Sequence, residues 1–203
     1  MKTLVIVDVQ NDFMPWGALP VPDGEKIIPV INSVQGYFDL VVATQDWHPQ
    51  SHSSFASSHA GKKPFDKTYI QGFEQILWPD HCVQGTVGAM FHPDLETNKI
   101  AAVFRKGMNR EVDSYSGFYD NMHRVSTGLS GYLKEKECHE LYFCGLAADI
   151  CVYYTIIDAL KEGFSAVLIE DGAQPLDKEA FNLLKKELTE RGVRIINSRQ
   201  LQK

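Results

Sequence analysis

The 203-residue chain carries a formal charge of −6, with 44% hydrophobic and 11% aromatic residues. That balance belongs to a core-forming globular chain rather than a disordered one. The acidic surplus, without a Lys/Arg stripe, argues against nucleic acid or an anionic membrane as partner. The longest apolar run, ICVYYTII, is far short of the roughly 18–20 residues of a membrane span. The opening MKTLVIVDVQ lacks the length and small-residue cleavage site of a signal peptide. The expectation is a cytoplasmic protein forming one domain over residues 1–203. Its four cysteines, at 82, 138, 144 and 151, include no CxxC pair, so free thiols are expected rather than a disulfide framework.

Residues 3–9 (TLVIVDV) form a near-continuous apolar run with β-branched bias, as in a strand buried on both faces. Residues 24–38 place Ile27, Ile28, Ile31, Val34 and Phe38 at helical spacing, with Asp23 as a candidate cap. A second strand over 40–44 precedes a long irregular stretch, 45–93, rich in Ser, His, Pro and Gly. Strands are then predicted at 99–104, 140–144, 164–170 and 193–196, and helices at 127–136, 149–162 and 177–191. Alternation of this kind predicts an α/β fold: a three-layer open parallel sheet of about six strands with helices on both faces. Ligands of such sheets bind at the carboxyl ends of the strands, and a long loop in a compact domain is usually functional.

Four strand ends carry chemistry. Asp8 sits inside IVDVQNDF, where a lone carboxylate needs a partner or a task; a cap or salt bridge and an acid/base group both fit. The second strand leads into TQDWHPQSHSSF. Asp46 and His48 are two apart and point the same way in an extended chain. His52 and His59 follow, and WPDHCVQGT adds His81 beside Trp78 and Cys82. A carboxylate with imidazoles suits Zn²⁺, Fe²⁺ or Mn²⁺ with water in open positions, whereas a structural zinc would enlist Cys82. At the third strand end, Arg105 and Lys106 read either as a solvated pair or, if Lys106 turns inward, as a fixed cation beside a thiol. At the fourth, CGLAADICV sets Cys151 in the first turn of a helix with Asp149 as candidate cap. A helix N-terminus and a cation would lower the thiol pKa, and the turn's amides could form an oxyanion hole. The alternative is a small buried hydrophobe, the fate expected of Cys144.

Taken together, IVDVQNDF, TQDWHPQSHSSF, WPDHCVQGT, FRKG, DSYSGF and GLAADICV make the chain resemble bacterial nicotinamidases (pyrazinamidases) of the isochorismatase-like hydrolase superfamily. The D-x-H followed by WPxHC is the more specific part, because it resembles the metal site of nicotinamidases. The resemblance implies hydrolysis of nicotinamide to nicotinate and ammonia, with Asp8, Lys106 and Cys151 as catalytic triad. It implies one divalent metal, Zn²⁺ foremost with Fe²⁺ or Mn²⁺ as alternatives, on Asp46, His48 and His81, with His52 in the place of a further ligand. Phe13, Leu19, Trp78 and Tyr115 match positions lining the ring pocket. Leu146 and Ala147 match a substrate-contacting turn with a cis peptide, and the Ala147 and Cys151 amides match an oxyanion hole. The partner implied is a small aromatic amide; a homo-oligomer is left open. The chain departs from the family at Ala148 and Ile150, where Thr and an aromatic or His are common, which bears on substrate preference. A metal-independent relative acting on ureido or carbamoyl substrates, and a non-enzymatic metal-binding redox module, remain the rival readings.

Overall fold

The structure, a computed structural model, describes residues 1–201. In chain order its elements are β1 (Lys2–Val7), α1 (Ile27–Val34), β2 (Leu40–Asp46), β3 (Lys67–Ile70), β4 (Phe73–Ile76) and β5 (Ile100–Lys106). Then come α2 (Leu129–Glu135), β6 (Glu140–Leu146), α3 (Tyr153–Lys161), β7 (Ser165–Gln174), α4 (Lys178–Glu190) and β8 (Arg194–Ile196). Six strands form one sheet in the order β5-β2-β1-β6-β7-β8, and every pairing in it is parallel. The expected α/β architecture is thus present.

Side-chain alternation along the strands divides the core in two. Leu4, Ile6, Val41, Ala43, Cys144 and Val167 face α1, whose Ile27, Ile28, Ile31 and Val34 close over them. Val5, Val7, Val42, Phe143 and Leu168 face Leu133 of α2, Ile156 and Ala159 of α3, and Phe181 and Leu188 of α4. Strands buried on both sides need apolar residues at both parities, hence the unbroken apolar runs of the sequence. No helix among the described residues is long and apolar enough to cross a membrane.

Three local expectations change. The helix expected over 24–38 is α-helical only over Ile27–Val34, with single 3₁₀ turns on either side. Asp23 does not cap it; its φ is +58° and its carboxylate pairs with Lys26 at 2.8 Å. The stretch 45–93 contains an antiparallel hairpin, β3–β4, closed by Gln71 and Gly72 at φ +49° and +88°. Positive φ at both central residues is the type I′ requirement for a two-residue hairpin loop.

One surface cluster ties α2 to α3. The Glu162 carboxylate accepts from Lys134 Nζ, Ser130 Oγ and Tyr119 OH, and these three donors hold its pKa at about 2. A carboxyl depressed by folding stabilises the native state above its unfolded pKa, and that contribution disappears as pH falls through the folded value. Glu162→Gln should therefore lower stability by about 1–2 kcal/mol at neutral pH. Urea unfolding should show this deficit shrinking between pH 4.5 and about 2, as the wild-type carboxylate becomes protonated.

Candidate active site

The carboxyl ends of β1, β2, β5 and β6 bring the charged groups together. β1 ends and the chain turns at Asp8, whose φ of +49° is a strained conformation for a residue with a side chain. Asp8 is fully buried, with Oδ2 3.0 Å from Lys106 Nζ. Strand periodicity explains the Arg105–Lys106 pair. Arg105 faces outward, its guanidinium 3.9 Å over the Trp47 ring, while Lys106 faces inward and is 2% exposed. Lys106 Nζ donates to Asp46 Oδ1 (3.0 Å), to the Ser114 carbonyl (2.9 Å) and towards Cys151 Sγ (3.5 Å).

Cys151 is delivered by β6. Gly145 lets the strand end run against β1: a Cβ there would sit 2.0 Å from the Val7 carbonyl oxygen, and its φ is +121°. A π-type turn over Ala148–Val152 follows and passes into α3. The Thr155 hydroxyl donates to the Cys151 carbonyl at 2.6 Å and accepts from the Gly117 amide at 2.9 Å, fixing the turn to the 113–118 loop. Asp149 does not cap this turn. Its two carboxylate oxygens accept from the amides of Leu176 (2.8 Å) and Asp177 (2.9 Å). Asp149 thereby holds Leu176 at the cavity wall.

Burial dominates the electrostatics. It would pull Lys106 down, but Asp46 and Asp8 outweigh it and hold the ammonium well above its ordinary pKa. Burial also raises Asp8, an effect Lys106 only partly offsets. Contrary to the expected thiolate, burial lifts the Cys151 thiol well above its usual value, with Lys106 opposing. A neutral resting thiol needs a base, and the nearby candidate is Asp8, joined to the same Lys106 ammonium that points at Sγ.

Beside this centre, Asp46 Oδ2 lies 3.0 Å from His48 Nε2 and 3.3 Å from His81 Nε2. The far nitrogen of each ring, Nδ1, donates to a carbonyl, Gly107 at 3.0 Å for His48 and Pro79 at 2.8 Å for His81. These carbonyls anchor each ring through Nδ1, which would leave Nε2 free to turn a lone pair to a cation if one were bound beside Asp46. Three donor atoms within 4.8 Å of one another, in an O,N,N set, fit a divalent cation. Gly107 has φ +67°, and a Cβ there would come 2.4 Å from His48 Cε1; only glycine allows this approach.

The IVDVQNDF segment supports both clusters. Gln10 accepts from the Asp46 amide and donates to the Asp46 carbonyl, each at 2.8 Å. Asp12 accepts from the Cys82 amide at 2.7 Å, which steadies the loop bearing His81. Cys82 itself is buried and outside the donor set.

The cavity over Cys151 is walled by Phe13, Leu19, Trp78, Tyr115 and Ala147, together with Ile150, Leu176, Asp113 and Ser114. The Tyr115 hydroxyl accepts from Gln75 Nε2 at 2.9 Å, fixing the ring. A larger cavity of about 280 Å³ lies beyond Tyr115, lined by Phe73, Tyr153 and Tyr154 among others. Its lining includes neither Cys151 nor Lys106, Asp46 or His81, all of which line the smaller cavity.

The Isochorismatase domain family matches residues 2–200. The nicotinamidase of Acinetobacter baylyi is 45% identical over 199 residues, covering 98% of this chain and 93% of its own. The solved Acinetobacter baumanii nicotinamidase/pyrazinamidase superposes with a TM-score of 0.96 at 44% identity, covering 99% of this chain and 98% of its own. A pyrazinamidase of Pyrococcus horikoshii, solved in complex with zinc, gives a TM-score of 0.80 at 36% identity, with 97% and 98% covered. The chain belongs to the nicotinamidase/pyrazinamidase family of isochorismatase-like hydrolases.

Against the family resemblance, most of the expected residues converge: Asp8, Lys106 and Cys151 in one cluster, Asp46, His48 and His81 in the next. The Leu146–Ala147 peptide is cis. Two expected nicotinamidase positions make their contacts outside the Asp46/His48/His81 set and the cavity wall, although His52 also groups with His48 and Asp113. His52 donates from Nε2 to the Asn109 carbonyl at 2.8 Å and accepts at Nδ1 from Ser54. Both nitrogens are thus engaged away from the Asp46 donor set. The Leu146 side chain is buried in the core facing α1, 3.5 Å from where a Cβ on Gly24 would lie, and the cavity wall is formed by Ala147 instead. His59 is also outside, its Nε2 donating to the Ser53 carbonyl at 2.7 Å. Of the additional wall residues, Asp113 and Ser114 lie in DSYSGF, a stretch that carried the resemblance without a role being given to them, whereas Leu176 had no signal beyond its place in a loop that follows a strand.

Proposed function

We propose that the protein hydrolyses nicotinamide to nicotinate and ammonia through a thioester on Cys151. The observation carrying this is the single cavity in which the buried Asp8–Lys106–Cys151 cluster adjoins the Asp46/His48/His81 donor set. Asp8 takes the thiol proton as Cys151 Sγ attacks the carboxamide carbon. Lys106, directed at Sγ from 3.5 Å, steadies the thiolate while it exists. The Ala147 and Cys151 amides hold the tetrahedral oxyanion. Protonated Asp8 then passes its proton to the leaving nitrogen, and ammonia departs. Asp8, again a carboxylate, takes a proton from water as that water attacks the thioester. The Cys151 thiolate leaves, recovers the proton, and nicotinate is released.

Phe13, Leu19, Trp78 and Tyr115 supply flat apolar walls for the aromatic ring and exclude bulk water. Asp46, His48 and His81 would hold the divalent cation, with zinc favoured by the zinc-bound relative and by the O,N,N donor set, although that set also accepts iron or manganese. When bound, the cation supplies a Lewis-acidic anchor for a ring nitrogen or water. A cytoplasmic setting suits the four free cysteines. Ammonia release across nicotinamide, pyrazinamide and other small amides, with metal analysis of the same sample, tests the proposal. Release from nicotinamide by a metal-containing protein is expected. Consumption of ureido substrates alone, by metal-free protein, would contradict it.

A further inference from the structure

The two carboxylate oxygens of Asp8 have different surroundings. Oδ1 accepts a hydrogen bond from the Thr44 hydroxyl at 2.6 Å. Oδ2 lies 3.0 Å from Lys106 Nζ, yet it is a buried oxygen with no hydrogen bond from any described residue. Donor counting explains this. An ammonium has three N–H groups, and those of Lys106 are directed at Asp46 Oδ1, the Ser114 carbonyl and Cys151 Sγ. Oδ2 is therefore held mainly by the charge of an ammonium whose N–H groups have three other acceptors.

Thr44 is fully buried on β2, two residues before Asp46, so both side chains leave the strand on the same side. Its methyl is wedged against the 113–118 loop, where a Cβ on Gly117 would come 2.6 Å from Thr44 Cγ2. That contact restricts the rotamer and keeps the hydroxyl on Asp8.

We propose that Thr44 is a positioning residue that assigns different tasks to the two Asp8 oxygens, occupying Oδ1 so that Oδ2 is the atom that exchanges a proton with Cys151. The inference rests on the role given to Asp8 above. An oxygen already accepting a short hydrogen bond is the poorer base, and the same bond stops the carboxylate from rotating Oδ2 out of line. In the forward step the S–H bond breaks and the Oδ2–H bond forms, leaving a thiolate. In the return step Oδ2–H breaks and N–H forms on the departing nitrogen.

The test compares Thr44→Ser with Thr44→Ala in the metal-loaded protein; both lack the methyl and only one keeps the hydroxyl. Thr44→Val, close to Thr in shape, serves as a second hydroxyl-free variant should Thr44→Ala fold poorly. Ammonia release from nicotinamide should retain kcat within about twofold in Thr44→Ser and lose about tenfold or more in the hydroxyl-free variants, with KM unchanged. Alkylation of Cys151 by iodoacetamide without substrate, followed by peptide mapping, should slow in parallel. Equal rates for Ser and Ala variants in both assays would overturn the inference, as would a Ser variant as slow as the Ala variant. A wild type inert towards nicotinamide, with alkylation still split between Ser and Ala, would overturn the proposed substrate and support the role of Thr44.

Discussion

Lys106→Met should destabilise the protein by about 3–5 kcal/mol and abolish measurable turnover. The ammonium is buried between Asp8 and Asp46, 3.0 Å from an oxygen of each, and it also reaches the Ser114 carbonyl. Its removal leaves two carboxylates in the interior without their shared counter-charge. Asp8 is already raised by burial, and Lys106 is the main influence holding it down. Without Lys106 its folded pKa climbs further above the unfolded value. A carboxyl raised by folding weakens the native state as pH rises, because folded protein must then ionise it in the interior. The deficit of the variant should therefore be large at about pH 7 and smaller at about pH 4.5, where protonated Asp8 no longer needs a counter-charge. Denaturant midpoints at the two pH values check this. Equal midpoints for variant and wild type at neutral pH would mean that the ammonium does not organise the site.

His81→Ala should remove bound divalent metal while leaving the acid–thiol cluster intact. His81 reaches the donor set from the WPDHC loop, contacting Asp46 Oδ2 but not Lys106, Asp8 or Cys151. Losing a partner outside the ligand sphere commonly costs about 10–100-fold in metal affinity, and losing a ligand should exceed that. Metal titration of the apo-protein should show this loss. Iodoacetamide should still label Cys151 at nearly the wild-type rate, because Asp8 and Lys106 keep their contacts. Ammonia release should fall steeply. Undiminished metal affinity would show that Asp46 and His48 recruit a different third ligand, for which the His48/His52/Asp113 grouping is the nearest candidate.

The sheet was legible because its strands are buried on both faces, which leaves apolar runs such as TLVIVDV with no competing interpretation. The chemistry at strand ends was legible for a related reason: Asp8, Asp46 and Lys106 are charges that an apolar strand would otherwise avoid. The hairpin β3–β4 was obscured because half of its strand residues, Lys67, Tyr69, Phe73 and Glu74, are exposed and only Gln75 is buried. Its Gln-Gly turn also lacks the usual Asn-Gly signal. His52 illustrates the limit of spacing. In sequence it is one more imidazole in a histidine-rich loop, and only the fold reveals that Ser54 and Asn109 occupy both its nitrogens. Asp149 has the same lesson, because its amide partners lie 27 and 28 residues away. The Cys151 thiol also departs from the sequence-based expectation. Helix terminus and lysine were both visible as influences favouring thiolate, but the burial that outweighs them was not.

In the proposed reaction Cys151 carries the acyl group. Acid-quenched protein, mixed briefly with nicotinamide and digested, should yield the peptide containing Cys151 with a nicotinoyl group attached. Cys151→Ala should show neither the adduct nor ammonia release. Turnover that persists in Cys151→Ala, with no acylated peptide in the wild type, would contradict the account.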